Sequence, residues 1–383
     1  MRIAQVAPLA ESVPPRLYGG TERVVSWLTE ELVVQGHDVT LFASGDSATS
    51  AELVRSVPEG LRLSGVRDHT ASLLVMLDDV RRRAIDFDII HFHIDLLQFP
   101  LFRKASDRCL TTLHGRIDLA DFHPVYRAFP TMPLVSISDN QRLPLPSANW
   151  LTTIQHGLPP GTAPVVNPGG GYLAFLGRIA PEKRPDRAIE IAKQVGLPLK
   201  IAAKVDPADK EYFEHMIRPQ LDHPLIEFIG EIGDHEKRKF LGDAAALLFP
   251  IDWPEPFGLV MIEAMREGTP VVAWRCGSVP EVIDEGVTGF AVGSIDEAVC
   301  AVGLALRLDR ASIRLRFEQR FTASRMATSY RAAYDRVLSG LHLPASERIE
   351  RGAIEGIELP CLAASTSPIV NGIREPLSLG AKF

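Results

Sequence analysis

Short apolar runs bounded by glycine and proline alternate along this chain with longer stretches whose apolar residues recur at helical spacing. Arg2 to Ala7 reads as a strand and the proline-rich Pro8 to Leu17 as a loop. Tyr18, Gly19, Gly20 and Thr21 then lead into a helix that runs to Gln35. Thr21 is its expected cap, Glu22 suits its positive end, and Gly36 stops it. His37 to Ala43 is the second strand. The pattern continues with a helix around 70 to 84, strand Asp88 to His91, a helix near 97 to 106, and strands Cys109 to Leu113, Leu134 to Ile137 and Leu151 to Gln155. Such alternation predicts a doubly wound parallel sheet with helices on both faces, whose ligands bind beyond the carboxyl ends of the strands.

Residues 158 to 171, LPPGTAPVVNPGGG, gather prolines and glycines and read as a linker. A second alternating set follows: strand Tyr172 to Leu176, a helix near 182 to 195, strand Leu199 to Ala203, a helix near 208 to 218, strand Ile226 to Ile229, a helix near 235 to 245 and strand Ala246 to Phe249. Next comes PIDWPEPFGLVMIEAMREGTP, residues 250 to 270. Pro254 and Pro256 keep the chain extended around Glu255. The helix therefore starts near Phe257 or Gly258. Phe257, Val260, Met261, Ala264 and Met265 form its apolar stripe, Gly268 and Pro270 end it, and strand Pro270 to Trp274 follows. The fold class predicted is thus α/β, with two Rossmann-like domains.

The start of that helix presents unpaired N–H groups and about half a positive charge at Gly258 and Leu259, where a phosphate could dock. Glu263 follows five residues on, roughly 7 Å along the axis, about the span from a diphosphate to a ribose. Glu255 lies on the other side of the helix start. Since a carboxylate accepts hydrogen bonds from adjacent hydroxyls, Glu263 suits a ribose and Glu255 a hexose. Gly177, Arg178 and Lys183 leave the first strand of the second set in FLGRIAPEK, where two cations could meet a diphosphate. Gly230 to Ile232 leave another strand, near where a nucleobase would sit. His114 and Gly115 follow a strand of the first set, at its rim.

The 383-residue length favours two domains, and 46% apolar with 23% charged residues is ordinary for a soluble enzyme. The net charge of -7 argues against nucleic-acid binding. Cys109, Cys276, Cys300 and Cys361 lack paired spacing and read as reduced thiols of a cytoplasmic protein. No apolar run is long enough for a signal peptide or a membrane span, which leaves peripheral membrane contact open. Asp86 with Asp88 and His91 with His93 invite a metal reading. A strand separates the two pairs and no third ligand flanks them, so no metal site is assigned.

E-P-F-G-L-V-x-I-E-A-M-x-x-G-x-P-V-V-A resembles the donor-site signature of glycosyltransferase family 4, the retaining group 1 glycosyl transferases of GT-B fold. G-S-V-P-E-V-I-x-x-G-x-T-G-F from Gly277 is similar to the pattern that follows it in that family. The resemblance covers roughly residues 1 to 340. It implies an acceptor-binding domain over 1–160, a nucleotide-sugar-binding domain over 161–320, a helix over 321–341 crossing back onto the first domain, and a tail over 342–383 of unknown role.

The resemblance also implies that the Gly19–Gly20 loop closes over the donor and that G-R-x-x-x-x-K supplies a diphosphate clamp. His114 corresponds to the family's rim histidine, which meets the donor sugar. It implies hexose transfer from a nucleoside-diphosphate sugar, UDP-glucose more than GDP-mannose, to an acceptor hydroxyl on a saccharide, lipid or small molecule. No cofactor or metal is expected, and transfer would proceed by a front-face route in which Arg178 and Lys183 stabilise the departing phosphate. The expected acceptor site is the Gly19 loop and the rim between His114 and His123. Two other readings stand beside it: a sugar-nucleotide binding protein without turnover, and a hydrolysing sugar-nucleotide epimerase, which would lack the E-P-F-G-L-V-x-I-E signature. Where the family often has asparagine and glycine before the linker, this chain has Gln155, His156 and Gly157.

Overall fold

The computed structural model describes residues 1–17, 19–161 and 171–340. Tyr18, most of the predicted linker, Cys361 and the expected tail lie outside the described residues.

The first domain has strands β1 (Arg2–Val6), β2 (Asp38–Ser44), β3 (Glu52–Val57), β4 (Ile89–Phe92), β5 (Cys109–Thr112), β6 (Leu134–Ser136) and β7 (Trp150–Thr153). Its helices are α1 (Gly20–Val34), α2 (Thr70–Arg82), α3 (Phe99–Phe102), α4 (His123–Ala128) and α5 (Asp139–Arg142). The strands pair in the order β3-β2-β1-β4-β5-β6-β7, all parallel. β3 escapes the sequence pattern because Glu52, Arg55 and Ser56 interrupt its apolar residues, as suits an edge strand with partly exposed faces. The expected helix near 97 to 106 is only a turn of α-helix followed by a 3-10 turn. Thr21 does not cap α1: the helix already begins at Gly20, with Gly19 in the capping position and no side-chain bond.

The second domain has β8 (Leu173–Ile179), α6 (Pro185–Val195), β9 (Leu199–Val205), α7 (Lys210–Tyr212), β10 (Ile226–Gly230), α8 (Asp234–Gly242), β11 (Ala246–Phe249), α9 (Leu259–Arg266), β12 (Val271–Trp274), α10 (Val279–Val282), β13 (Gly289–Val292), α11 (Ile295–Ala305), α12 (Arg310–Arg320) and α13 (Ala323–Leu338). Its six parallel strands run β10-β9-β8-β11-β12-β13. The expected helix near 208 to 218 breaks into α7, a π turn and a 3-10 turn, where Pro219 removes a ladder donor. β8 continues past Leu176, since Gly177 and Arg178 pair with Ala203 and Lys204 of β9. Gly177 and Arg178 therefore lie in the last residues of a strand and not in the loop after it; the glycine and the charge had hidden this extension.

The strand order of each sheet reverses at its centre, between β1 and β4 and between β8 and β11, which is where such sheets open a crevice. α13 returns to the first domain. Thr322 Oγ1 caps it by accepting from Arg325 N–H at 3.3 Å. Met326, Ala327, Tyr330, Ala333, Tyr334 and Val337 are buried with Val24, Leu28, Ile89 and Leu110. The crossing strands of chain lie side by side, with Leu158 N–H donating to Phe321 O and Ala323 N–H to Leu158 O, both at 2.8 Å. Among the described residues, no helix is long and apolar enough to cross a membrane, and Cys109, Cys276 and Cys300 are free thiols.

Candidate active site

The carboxyl ends of the two sheets border a cavity of about 490 Å³. Gly19, Gly20 and His114 reach it from the first domain. Gly177, Arg178, Lys183, Ile232, Glu255, Phe257, Gly258, Leu259 and Glu263 reach it from the second. Gly230 does not line it. β10 runs one residue further than expected and holds Gly230 at its end, so that Glu231 and Ile232 face the cavity instead. His123 is also absent from the lining; it opens α4 and bonds Ile117 O at 3.2 Å.

The second-domain wall is set by α9. Gly258 precedes it in the left-handed region, with φ of 79°, which a side chain would strain. Met261 N–H donates to Gly258 O at 3.0 Å, and Leu259 and Val260, ahead of that bond, line the cavity. Phe257 is almost wholly buried and anchors the helix start in the core. Glu263 lies further along the same wall and is nearly buried.

The two expected clamp cations are not free charges. Lys183 Nζ pairs with Glu255 Oε2, which also accepts from Trp253 Nε1 at 2.9 Å. The ammonium lies 4.8 Å from the Trp253 ring centre, a favourable cation–π position. Arg178 donates to Asp209 at 2.6 Å and to Glu182 at 2.5 Å, with Asp206 at 3.9 Å. Both cations are thus oriented by carboxylates that also offset their charge. Spacing could not reveal this, because the acids come from separate loops after β8, β9 and β11.

On the first-domain side, buried Glu11 pairs with Arg62 through Oε1 and keeps Oε2 without a partner. Glu22 is buried beside it. Burial pushes its carboxyl above the ordinary range, a backbone hydrogen bond opposes this, and Glu11 adds to the rise. Arg23 of α1 crosses the cleft to pair with Asp234 of α8. Glu281 of α10 accepts from the N–H groups of Asp139 and Asn140 at 2.7 Å each. These contacts tie the two lobes together. The sequence reading missed Glu11, Glu22, Arg23 and Trp253, each of which looks like an ordinary loop or helix-surface residue until the sheets are assembled.

A row of histidines runs from the first-domain core to the cavity. His93 Nδ1 lies 2.8 Å from His114 Nε2, and His93 Nε2 lies 2.8 Å from Gln5 Oε1. His114 stacks on His156 with ring centres 5.3 Å apart, and His156 meets Phe257 edge-on at 4.9 Å. Burial depresses the basicity of all four: His91, His93 and His156 fall well below the ordinary histidine range, and His114 falls to about 3. They are neutral at pH 7. His156 was passed over, although, like His114, it follows the end of a first-domain strand. Asp88 is engaged by the N–H of Arg2 at 2.8 Å and by its guanidinium at 3.0 Å. Among the described residues, no group of three or more histidine, cysteine or acidic side chains is placed to hold a metal ion.

Two family descriptions match the chain: "Glycosyl transferases group 1" over residues 164–320 and "Glycosyltransferase Family 4" over residues 18–141. D-inositol 3-phosphate glycosyltransferase of Corynebacterium efficiens is 24% identical, with 79% of this chain and 85% of that protein covered. Among solved structures, AviGT4, a glycosyltransferase involved in avilamycin A biosynthesis, superposes with a TM-score of 0.66 at 23% identity, covering 88% of this chain and 98% of that one. Anabaena Alr3699/HepE in complex with UDP and glucose superposes with a TM-score of 0.65 at 18% identity, covering 88% and 99%.

Proposed function

Because the chain belongs to the group 1 glycosyl transferases of family 4 and has their two-domain GT-B fold, we propose that it transfers a hexose, with retention, from a nucleoside-diphosphate sugar to an acceptor hydroxyl. UDP-glucose is proposed ahead of GDP-mannose. The Anabaena neighbour of the same fold was solved with UDP and glucose, which makes that donor the first to try. The observation that carries the reading is the convergence of the α9 start, Lys183, Arg178, Glu255 and Glu263 on one cavity.

In this reading the diphosphate lies against the first turn of α9, where the helix dipole and N–H groups favour an anion. Glu263 accepts from the ribose hydroxyls and Glu255 from the sugar hydroxyls. Ile232, beside the end of β10, lies near the base. The Gly19–Gly20 loop covers the donor, and His114 accepts a sugar hydroxyl at the rim. The acceptor enters from the first-domain side. Its oxygen bonds to the anomeric carbon on the face that the diphosphate leaves, the old carbon–oxygen bond breaks, and the acceptor proton passes to the departing phosphate oxygen. Arg178 and Lys183 stabilise the charge that grows there. No metal takes part in this route.

The test is a thermal-shift panel of nucleotides and nucleotide sugars, followed by transfer from a radiolabelled donor with and without chelator. A donor at 100 times its dissociation constant adds about 2.7 kcal/mol of stability. No stabilisation by any nucleotide sugar would overturn the reading, and activity lost to chelator and restored by magnesium would overturn the metal-free route. A turnover-free binding protein is the second reading, favoured by the carboxylates already surrounding Arg178. It predicts stabilisation without release of labelled product.

One backbone position gives a separate check on Glu255. Gly277 has φ of 57°, and a Cβ there would lie 2.4 Å from Glu255 N. Gly277→Ala should displace the Glu255 loop and raise the donor KM by at least about tenfold, which is roughly 1.4 kcal/mol. Steady-state kinetics on the folded variant check it, and an unchanged KM would show that Glu255 does not hold the donor.

A further inference from the structure

The histidine row does not end at the sheet. Gln5 Nε2 donates to Tyr334 OH at 3.1 Å, and Tyr334 OH lies 2.9 Å from His91 Nδ1. His91 Nε2 lies 2.8 Å from Thr112 Oγ1, which lies 3.0 Å from Tyr330 OH. Gln5, His91, Thr112, Tyr330 and Tyr334 are fully buried. Tyr330 and Tyr334 belong to the crossing helix α13, so the row links the cavity rim to the far end of the chain's path.

The proton positions follow from the amide of Gln5. Its oxygen only accepts, so His93 carries its proton on Nε2 and offers a lone pair at Nδ1. His114 must then donate from Nε2, which leaves Nδ1 as a bare acceptor in the neutral ring. In the other direction, Gln5 N–H donates to the Tyr334 oxygen. The Tyr334 proton goes to His91 Nδ1, His91 Nε2–H goes to Thr112, and the Thr112 proton goes to the Tyr330 oxygen. Every bond points the same way, and turning the Gln5 amide over would invert them all. His114 Nδ1 is shut off from solvent and has no partner in the protein, although the ring lines the cavity. A buried polar atom without a partner costs about 1–3 kcal/mol, which a ligand hydroxyl would recover once the rim moves to admit it.

We propose that Gln5, His93 and Tyr334 are positioning residues that hold His114 in the tautomer with its lone pair on Nδ1, so that α13 sets the hydrogen-bonding character of the cavity rim. Tyr334→Phe cuts the row: Gln5 N–H loses its acceptor and His91 loses its donor. His114 is then no longer held in one form. Gln5→Glu keeps an acceptor opposite His93 Nε2–H and keeps the tautomer.

The experiment is long-range proton–nitrogen NMR on the uniformly labelled full chain, with the His114 signals identified by their loss in His114→Gln. The expected spectrum has an imine-type resonance at Nδ1 and a pyrrole-type resonance at Nε2, retained in Gln5→Glu and averaged between forms in Tyr334→Phe. A pyrrole-type Nδ1 in the unaltered protein overturns the proposal whether or not any variant folds, and so does an unchanged His114 spectrum in folded Tyr334→Phe. In the transfer assay Tyr334→Phe should lower kcat/KM about fivefold and have no further effect in a His114→Gln background. An equal loss in both backgrounds would mean that Tyr334 does not act through His114, and would also overturn it. The spectra need no substrate, so their outcome is separable from the glycosyl-transfer reading, on which only the assay rests.

Discussion

Lys183→Ala should lower turnover by at least about a hundredfold, the loss seen when one preorganised donor to a developing anion is removed. Lys183 sits where its ammonium can follow the departing phosphate, against the face of Trp253 and paired with Glu255. Its charge counts most in the transition state, when the bond to the sugar has broken and the diphosphate has its full charge. Part of the loss could instead come from Glu255, which the substitution leaves without its cation. Lys183→Ala combined with Glu255→Gln separates the two. If the clamp acts on the transition state, the double variant keeps the hundredfold deficit in kcat relative to Glu255→Gln alone. If the deficit disappears once Glu255 is neutral, or if Lys183→Ala turns over normally, the clamp role falls.

Acid should unfold the protein over a narrow range. His91, His93, His114 and His156 are held neutral in the folded state by burial, whereas in the unfolded chain they titrate near 6.5. Below that pH the unfolded state binds protons that the folded state does not, so stability falls as pH falls. Above it the contribution is constant. For His114 the loss continues down to about pH 3. Each such histidine adds to the loss, and the four act over the same acid range. Melting temperature measured from pH 8 to pH 4.5 should be flat above 7 and drop steeply below 6.5, with a shallower drop in His156→Phe. A flat profile through pH 5 would mean that the row accepts protons while folded.

The alternation of apolar runs was enough to foretell two parallel sheets, because their central strands are largely buried and read as short, mostly apolar runs. It missed β3, whose polar positions reflect an exposed edge, and it cut β8 short at Gly177, whose pairing with β9 depends on a partner distant in sequence. The candidate site was legible where cavity-lining residues sit at fixed offsets from a helix start or strand end, as at Glu255, Gly258, Glu263 and His114. Their companions were not legible. Trp253 beside Lys183, the acids around Arg178 and the line from His114 to Tyr334 join residues from separate loops and helices. No local spacing encodes such meetings.

The return of α13 bears on how the molecule is made. The first domain's central core is completed by Tyr330, Tyr334 and Val337, which the ribosome delivers only after the entire second domain. The N-terminal lobe must therefore wait, with the surface around Val24, Leu28 and Leu110 uncovered, while its neighbour is synthesised and folds. Splitting the protein at the interlobe segment would yield an incomplete first half, whereas a piece that carries residues 323–338 fused behind β7 would restore the missing wall.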